Sequence, residues 1–590
     1  MRVTKSTRMQ VKNKKYCLFA CLLFLVCINT IAQTDTLFWF ATPYATLDHV
    51  SPHQADLTLT ATDTSHITTV KISHPLNPGK FEKIVKIDPA VSLTKNISFT
   101  SDTINLFSNN IYNSVENSSL LVQADHEITA YYEIHRTGNN PDVFSLKGTN
   151  ALGTDFWTPF QTRWNNHNFD TDPAFSQIII VATENNTQIT VRFDKPAYGY
   201  AANVDHVITL NRGQTFMFVP AVNSSLSDGS DPSYKSTDRL TGTHITSNKP
   251  IAVTIGDDSV QKQNAYDFIG DQLVPVKNIF DKTLIGYEYI VMKGKVDDDN
   301  GNEKVYILAT KNSTTITVTK RGGTPYTLGP INAGKQTSFD LLGSSNEYYA
   351  HISATEPVYV FHISGFGDEI GGAVLPTIDG CTGSLSVSFV RSKAQNFYLN
   401  LMVKEDAIDS FYISVNNSSF THFLSASDFE RAGSSSWFVL KDAQKGFGTG
   451  QIPVGVVTRV INTKNVFHLG MINGINSGGG CIYGYFSDYN ELEAGAHVED
   501  QGSVFQTCGA DSIQLIADGG LSYQWTPTDY LDDPTSRMPI LSPPPGGFNQ
   551  VYKVEIEQPC NGMSEKQVWE YLQQLELVEI LSLDLQWWMY

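Results

Sequence analysis

Between about Thr36 and Asn490 one composite pattern returns four times: an aromatic strand, a paired-strand unit, and a polar turn that leads into an apolar strand. The turn and its strand repeat most plainly. Thr246-Ser247-Asn248-Lys249-Pro250-Ile251-Ala252-Val253 answers to Ala354-Thr355-Glu356-Pro357-Val358-Tyr359-Val360, with looser copies at Ala124–Ala130 and Thr463–His468. Ahead of these, Val181-Ala182-Thr183-Glu184-Asn185-Asn186-Thr187 matches Leu308-Ala309-Thr310-Lys311-Asn312-Ser313-Thr314. The spacing is about 105 to 120 residues, enough for a small domain and far beyond solenoid or propeller periods.

Within each repeat the runs are short, rich in Val, Ile, Thr and aromatics, and bounded by Asn, Asp, Gly and Pro. In the second repeat they fall at 177–181, 189–193, 206–210, 215–219, 244–246 and 251–255. With the aromatic opener at Phe156-Trp157, that makes seven strands. The expected fold class is therefore all-β: four tandem antiparallel β-sandwich-like repeats plus a C-terminal Ig-like module. The alternative closes the four repeats into one propeller-like assembly, although propeller blades need only about 40 to 50 residues. The expected divisions are 1–32 signal peptide, then repeats at 33–141, 142–266, 267–370 and 371–493. A module at 494–560 and an atypical tail at 561–590 follow.

Six basic and no acidic residues precede an apolar run, Tyr16 to Ile31, that ends in Thr30-Ile31-Ala32-Gln33. This reads as an export signal cleaved after Ala32, the run being too short to span a bilayer. Its removal leaves 35 of the 41 basic residues against 60 acidic ones, a formal charge near −25. Such a surface repels phosphate, so nucleic acid is excluded as a partner. The remaining cysteines are Cys381, Cys481, Cys508 and Cys560, an even set suited to an oxidising compartment. Spacing favours Cys381 with Cys481 and Cys508 with Cys560. No Cys-x-x-Cys pair supports a thiolate metal site.

The repeats resemble the N-terminal domain of the IgG-Fc-binding protein and its bacterial secreted relatives. The resemblance rests on Val181–Thr187, Ile245–Val253, Asp271-Gln272-Leu273-Val274-Pro275-Val276 and Gly153-Thr154-Asp155-Phe156-Trp157. It implies an adhesive or mucin-like role outside the cell, and it maps no ligand residue onto this chain. Further along, Ser522-Tyr523-Gln524-Trp525-Thr526-Pro527 and Val551–Ile556 look like a partial Ig-like or PKD-like module of Bacteroidetes surface proteins, with Trp525 buried beside a Cys508–Cys560 bridge. The stretch from Glu565 to Leu583 is helix-prone, and the tail resembles a truncated or frame-shifted end.

No His-Glu-x-x-His, Gly-x-Ser-x-Gly or phosphate loop is present, so no catalytic residue and no cofactor is assigned. Carboxylate pairs such as Glu127 with Glu133, or Glu288 with Asp267, arise by chance in any acidic chain. Calcium is the one ion considered: Asp297 and Asp299 lie on an acidic turn, and Asp228 and Asp231 form a smaller cluster. Neither has EF-hand spacing, and a solvated acidic loop is the simpler reading. The function expected is that of an exported, secreted or cell-surface adhesive protein, not an enzyme. Its repeat loops would bind a glycoprotein, a glycan or another surface partner. The alternative is a secreted carbohydrate-active enzyme with two carboxylates in a cleft between repeats.

Overall fold

The computed structural model describes residues 34–571 apart from 46–52, 65, 80, 101–111, 137–138, 168–173, 222–237, 298–301, 343–346, 442–445, 477, 493, 499–503, 506–511, 545–548 and 561. Strands dominate throughout, and the helical segments among the described residues are single 3-10 turns. The chain divides into two compact units, Ile31–Leu492 and a C-terminal one that begins at Glu493.

The larger unit holds the four repeats, each built on one plan. In the third, the long strand Tyr349–Gly367 serves two sheets in turn. Its first half pairs Ile352 with Tyr289 on one side and Val318 on the other. Its second half pairs Ile363 with Lys304 and Gly372. Between the halves, Thr355-Glu356-Pro357 leaves the ladders, and here a proline without an N–H costs nothing. The first and second repeats use Leu120–Arg136 and His244–Lys262 in the same way. In the fourth repeat the corner breaks the strand into Val457–Asn462 and Phe467–Gly474. The runs 244–246 and 251–255, read as two strands, are thus one continuous strand with a corner at Pro250.

Each unit closes with an inner strand: Asn139–Leu146, Ala265–Gln272, Glu369–Val374 and Cys481–Tyr485. These four pack in a cycle, first on second, second on third, third on fourth and fourth on first. The sandwiches therefore share their cores. Tyr131 and Val143 of the first unit join the apolar cluster of the third and fourth. Phe268 of the second, with Val390 and Val457 of the fourth, joins that of the first. The strand order in each sheet, with a long strand flanked on both sides, is not that of a propeller blade, whose strands follow in sequence. The limits expected at 141, 266 and 370 cut inside inner strands, because each inner strand is the hairpin partner of the long strand before it.

The C-terminal unit pairs Gly495–Val498 with Ile513–Asp518, and Ser522–Thr526 with Asn549–Gln558. Its core gathers Leu515, Trp525, Leu541, Tyr552, Val554 and Ile556, and the Trp525 indole donates to the Ser536 carbonyl at 3.0 Å. One expectation fails here. Gly562–Tyr571 is a strand paired along Asn549–Gln558, not the start of a helix. Helix propensity is a weak prior, and an open sheet edge beside Val551–Ile556 overrides it. The rest of the helix-prone stretch lies outside the described residues.

Candidate interaction surface

Two features stand out: a buried axis lined by acids of the first three inner strands, and an exposed outer strand in each of the four units. At the axis, acids of one inner strand accept hydrogen bonds from backbone N–H groups of the next. Gly270 N–H donates to Asp142 Oδ2 at 3.2 Å. Ile370 N–H donates to Asp267 Oδ2 at 2.8 Å, and Val374 N–H to Asp271 Oδ2 at 3.1 Å. Glu369 in turn accepts from Gly478 and Gly480. Among the described residues each inner strand pairs only with the long strand of its own unit, and the carboxylates satisfy N–H groups on its other edge. Burial pushes the carboxyls of Asp142 and Asp267 well above the ordinary range, and at Asp267 the neighbouring Glu369 adds to the effect. Asp271 is raised too, again by burial first, with Lys147 at 2.6 Å opposing it. In the sequence Asp271 stands out only as part of the motif Asp271–Val276 and Asp267 only in a chance carboxylate pair, and nothing there gives either acid an axial role. Gly and Asp are depleted in strands, which is why Ala265–Gln272 is missing from the strands expected in the second repeat.

The opposite end of each unit faces solvent. The terminal strands of the sheets are Glu82–Ile87, Asp205–Leu210, Tyr326–Ile331 and Thr421–Leu424. Large apolar side chains stand out on or beside every one: Ile84 is 62% exposed, Val207 63%, Tyr326 37% and Phe420, just before its strand, 42%. One such residue is ordinary on any surface. One on or beside the end strand of each unit, although not at matching register positions, gives each unit an apolar contact beside a sheet edge, a surface suited to strand addition or loop contact. The flanking Lys83, Lys86 and Glu82 are the charges with which natural proteins keep such edges from self-pairing.

The residues singled out in the sequence fall in several places. Asp297 is exposed, and its N–H donates to the Gly367 carbonyl at 2.9 Å. Asp299, Asp228 and Asp231 lie outside the described residues, as does Cys508. Cys381 and Cys560 are disulfide-bonded. Cys481 is a free, buried thiol, so the Cys381–Cys481 bridge favoured by spacing does not form. Cys481 is on the fourth inner strand, and burial together with Asp267, Asp142, Glu369 and Glu303 holds its thiol protonated. Glu133 and Asp267 are buried, whereas Glu288 lies near His351 at 3.4 Å, so the structure assembles none of the chance pairs in a cleft. His244 meets Asp155 at 2.9 Å and stacks on Trp157, a sheet residue with its partners satisfied.

Residues 142–450 match the family described as IgGFc binding protein. The chain belongs to the IgGFc-binding family. The matched span starts at Asp142 on the first inner strand and runs into the fourth unit, so it covers most of the acidic axis. No curated protein matches the sequence. Among solved structures, the N-terminal four Ig domains of Dscam1 isoform 7.44 align at 9% identity, over 68% of this chain and all of that one, with a TM-score of 0.14. The insect immune protein hemolin aligns at 8% identity over 49% of this chain and 77% of its own, with a TM-score of 0.13. Scores this low carry no argument, and the sandwich architecture of the family member rests on its own strand order. Among the described residues no helix is long and apolar enough to cross a membrane.

Proposed function

We propose that this IgGFc-binding family member is an exported adhesive protein that engages an extracellular glycoprotein or glycan through the outer strands and loops of its four units. The observation that carries this reading is that each of the four units sets an exposed large apolar residue on or beside a sheet-edge strand. The leader, the acidic composition and the family match support it. Antibody Fc is a candidate ligand by family name alone, and mucin and polysaccharides stand beside it. A carbohydrate-active enzyme would need two solvent-accessible carboxylates about 5 to 10 Å apart. The acids this fold gathers are buried and capped by backbone N–H groups, which favours a structural role for them. The test is biolayer interferometry of the mature chain against immobilised Fc, mucin and a polysaccharide panel. Saturable binding to at least one is expected, weakened in the triple variant Ile84→Lys, Val207→Lys, Tyr326→Lys while the melting profile is kept. Failure to bind any surface, or undiminished binding by the triple variant, would overturn it.

A further inference from the structure

On the first unit, in the loop that leads into the strand beside the outer strand Glu82–Ile87, one cluster combines side chains that sheet packing does not call for. Asp63 and His66 lie in the loop between His53–Ala61 and Thr68–Ser73, and His126 projects from the long strand Leu120–Arg136. One ligand atom from each lies within 4.8 Å of the others. The two imidazoles are parallel to within 5°, their centroids 5.9 Å apart.

The surroundings hold this arrangement in place. Asp63 Oδ2 meets His66 Nδ1 at 2.8 Å, and its Oδ1 accepts the His66 N–H at 3.1 Å, which fixes the loop as a tight turn. Asp125 Oδ1 meets His126 Nδ1 at 3.0 Å and accepts the Thr69 N–H at 2.7 Å, tying the second imidazole to the strand that follows the loop. Asp125 against the His126 Nδ1 is the arrangement by which a carboxylate outside the ligand set orients an imidazole at a metal centre. A divalent cation could bridge the two rings and the Asp63 carboxylate at once, since one ligand atom of each lies within 4.8 Å of the others.

We propose that Asp63, His66 and His126 bind a first-row divalent transition ion. Two nitrogens and one carboxylate oxygen are the donors preferred by Zn2+ and its neighbours, whereas calcium takes oxygen ligands alone. His66 is exposed and the other two are half-buried, so a bound ion keeps a coordination position open to water or to a donor from a partner. The ion would also clamp the loop to the long strand of the first unit. This site is distinct from the acidic turns considered for calcium, and it does not depend on the identity of the adhesive ligand.

The decisive measurement is isothermal titration of the EDTA-treated mature chain with ZnCl2, repeated with CaCl2. It is run on wild type, His66→Ala, His126→Ala and the control His422→Ala, an exposed histidine of the fourth unit that lies near Asp409. One Zn2+ site is expected that weakens about 10- to 100-fold or more in His66→Ala and His126→Ala, the least that loss of a direct ligand should cost. The control should leave it unchanged, and Ca2+ should give no heat at the site. Melting curves in EDTA establish that each variant is folded, and the exposed His66 decides the matter if His126→Ala is not. Absence of Zn2+ binding by wild type, or affinity unchanged in His66→Ala, would overturn the assignment.

Discussion

At the scale of single residues, the repeated Thr-x-Asn motif is a turn written twice. Asn186 and Ser313 occupy the left-handed region, with φ of 55° and 60°. Behind each, a threonine hydroxyl donates to the first carbonyl of the turn: Thr187 to Glu184 and Thr314 to Lys311, both at 2.8 Å. Thr183 and Thr310 then reach the carbonyls of Pro250 and Pro357 at 2.7 and 2.6 Å, locking the turn to the corner of the long strand. Sequence similarity between repeats was therefore visible where backbone geometry demands particular residues. Asn186→Val should lower stability by about 1 to 2 kcal/mol, since a β-branched residue pays for positive φ, while Asn186→Gly should be nearly neutral. Denaturant midpoints of the two variants would check this. A buried acid gives a second expectation. Burial raises the Glu133 carboxyl to about 7, against weaker pulls from His135 and Lys393. Its folded pKa lies above the unfolded value, so its contribution is fully present below the unfolded pKa, near 4.5, and lost as pH rises through about 7. The urea midpoint should therefore fall between about pH 5 and pH 8, and Glu133→Gln should flatten that fall.

At the scale of elements, the inner strands explain several glycines. A Cβ on Gly270 would lie 2.3 Å from the Ile255 carbonyl oxygen and 2.8 Å from the Phe144 ring. On Gly371 it would lie 2.8 Å from Tyr483 Cβ, and on Gly484 2.9 Å from Val143. Three of the four inner strands thus carry a glycine where a neighbouring strand presses closest. Gly270→Val should cost about 1 to 3 kcal/mol or more by overpacking, and should lower the melting temperature of the whole repeat body, not of one repeat alone. Differential scanning calorimetry would distinguish the two. Alternation and turn residues made the outer strands readable; the inner ones were missed because their acids and glycines are explained by the neighbouring unit.

At the scale of the molecule, the shared cores predict joint folding. A chain ending at residue 376, past the third inner strand, removes the fourth inner strand and the fourth-unit apolar partners of Tyr131 and Val143. It should not give a stable three-repeat protein, as independent beads would; far-UV circular dichroism and proteolysis of the truncated chain would check this. The C-terminal unit has its own core, so Trp525→Ala, which empties a fully buried site, should cost about 3 to 5 kcal/mol. That loss should appear in the transition of the C-terminal unit and leave that of residues 31–492 in place.

The sequence by itself determined the all-β class, the four repeats, the turn chemistry and the acidic, basic-poor surface, because these depend on local propensity and composition. Tertiary structure alone decided that the repeats merge around an axis, that Cys481 stays a free thiol, and that Gly562–Tyr571 pairs as a strand. Each of these depends on which groups from distant parts of the chain meet out of water, and neither spacing nor propensity carries that information.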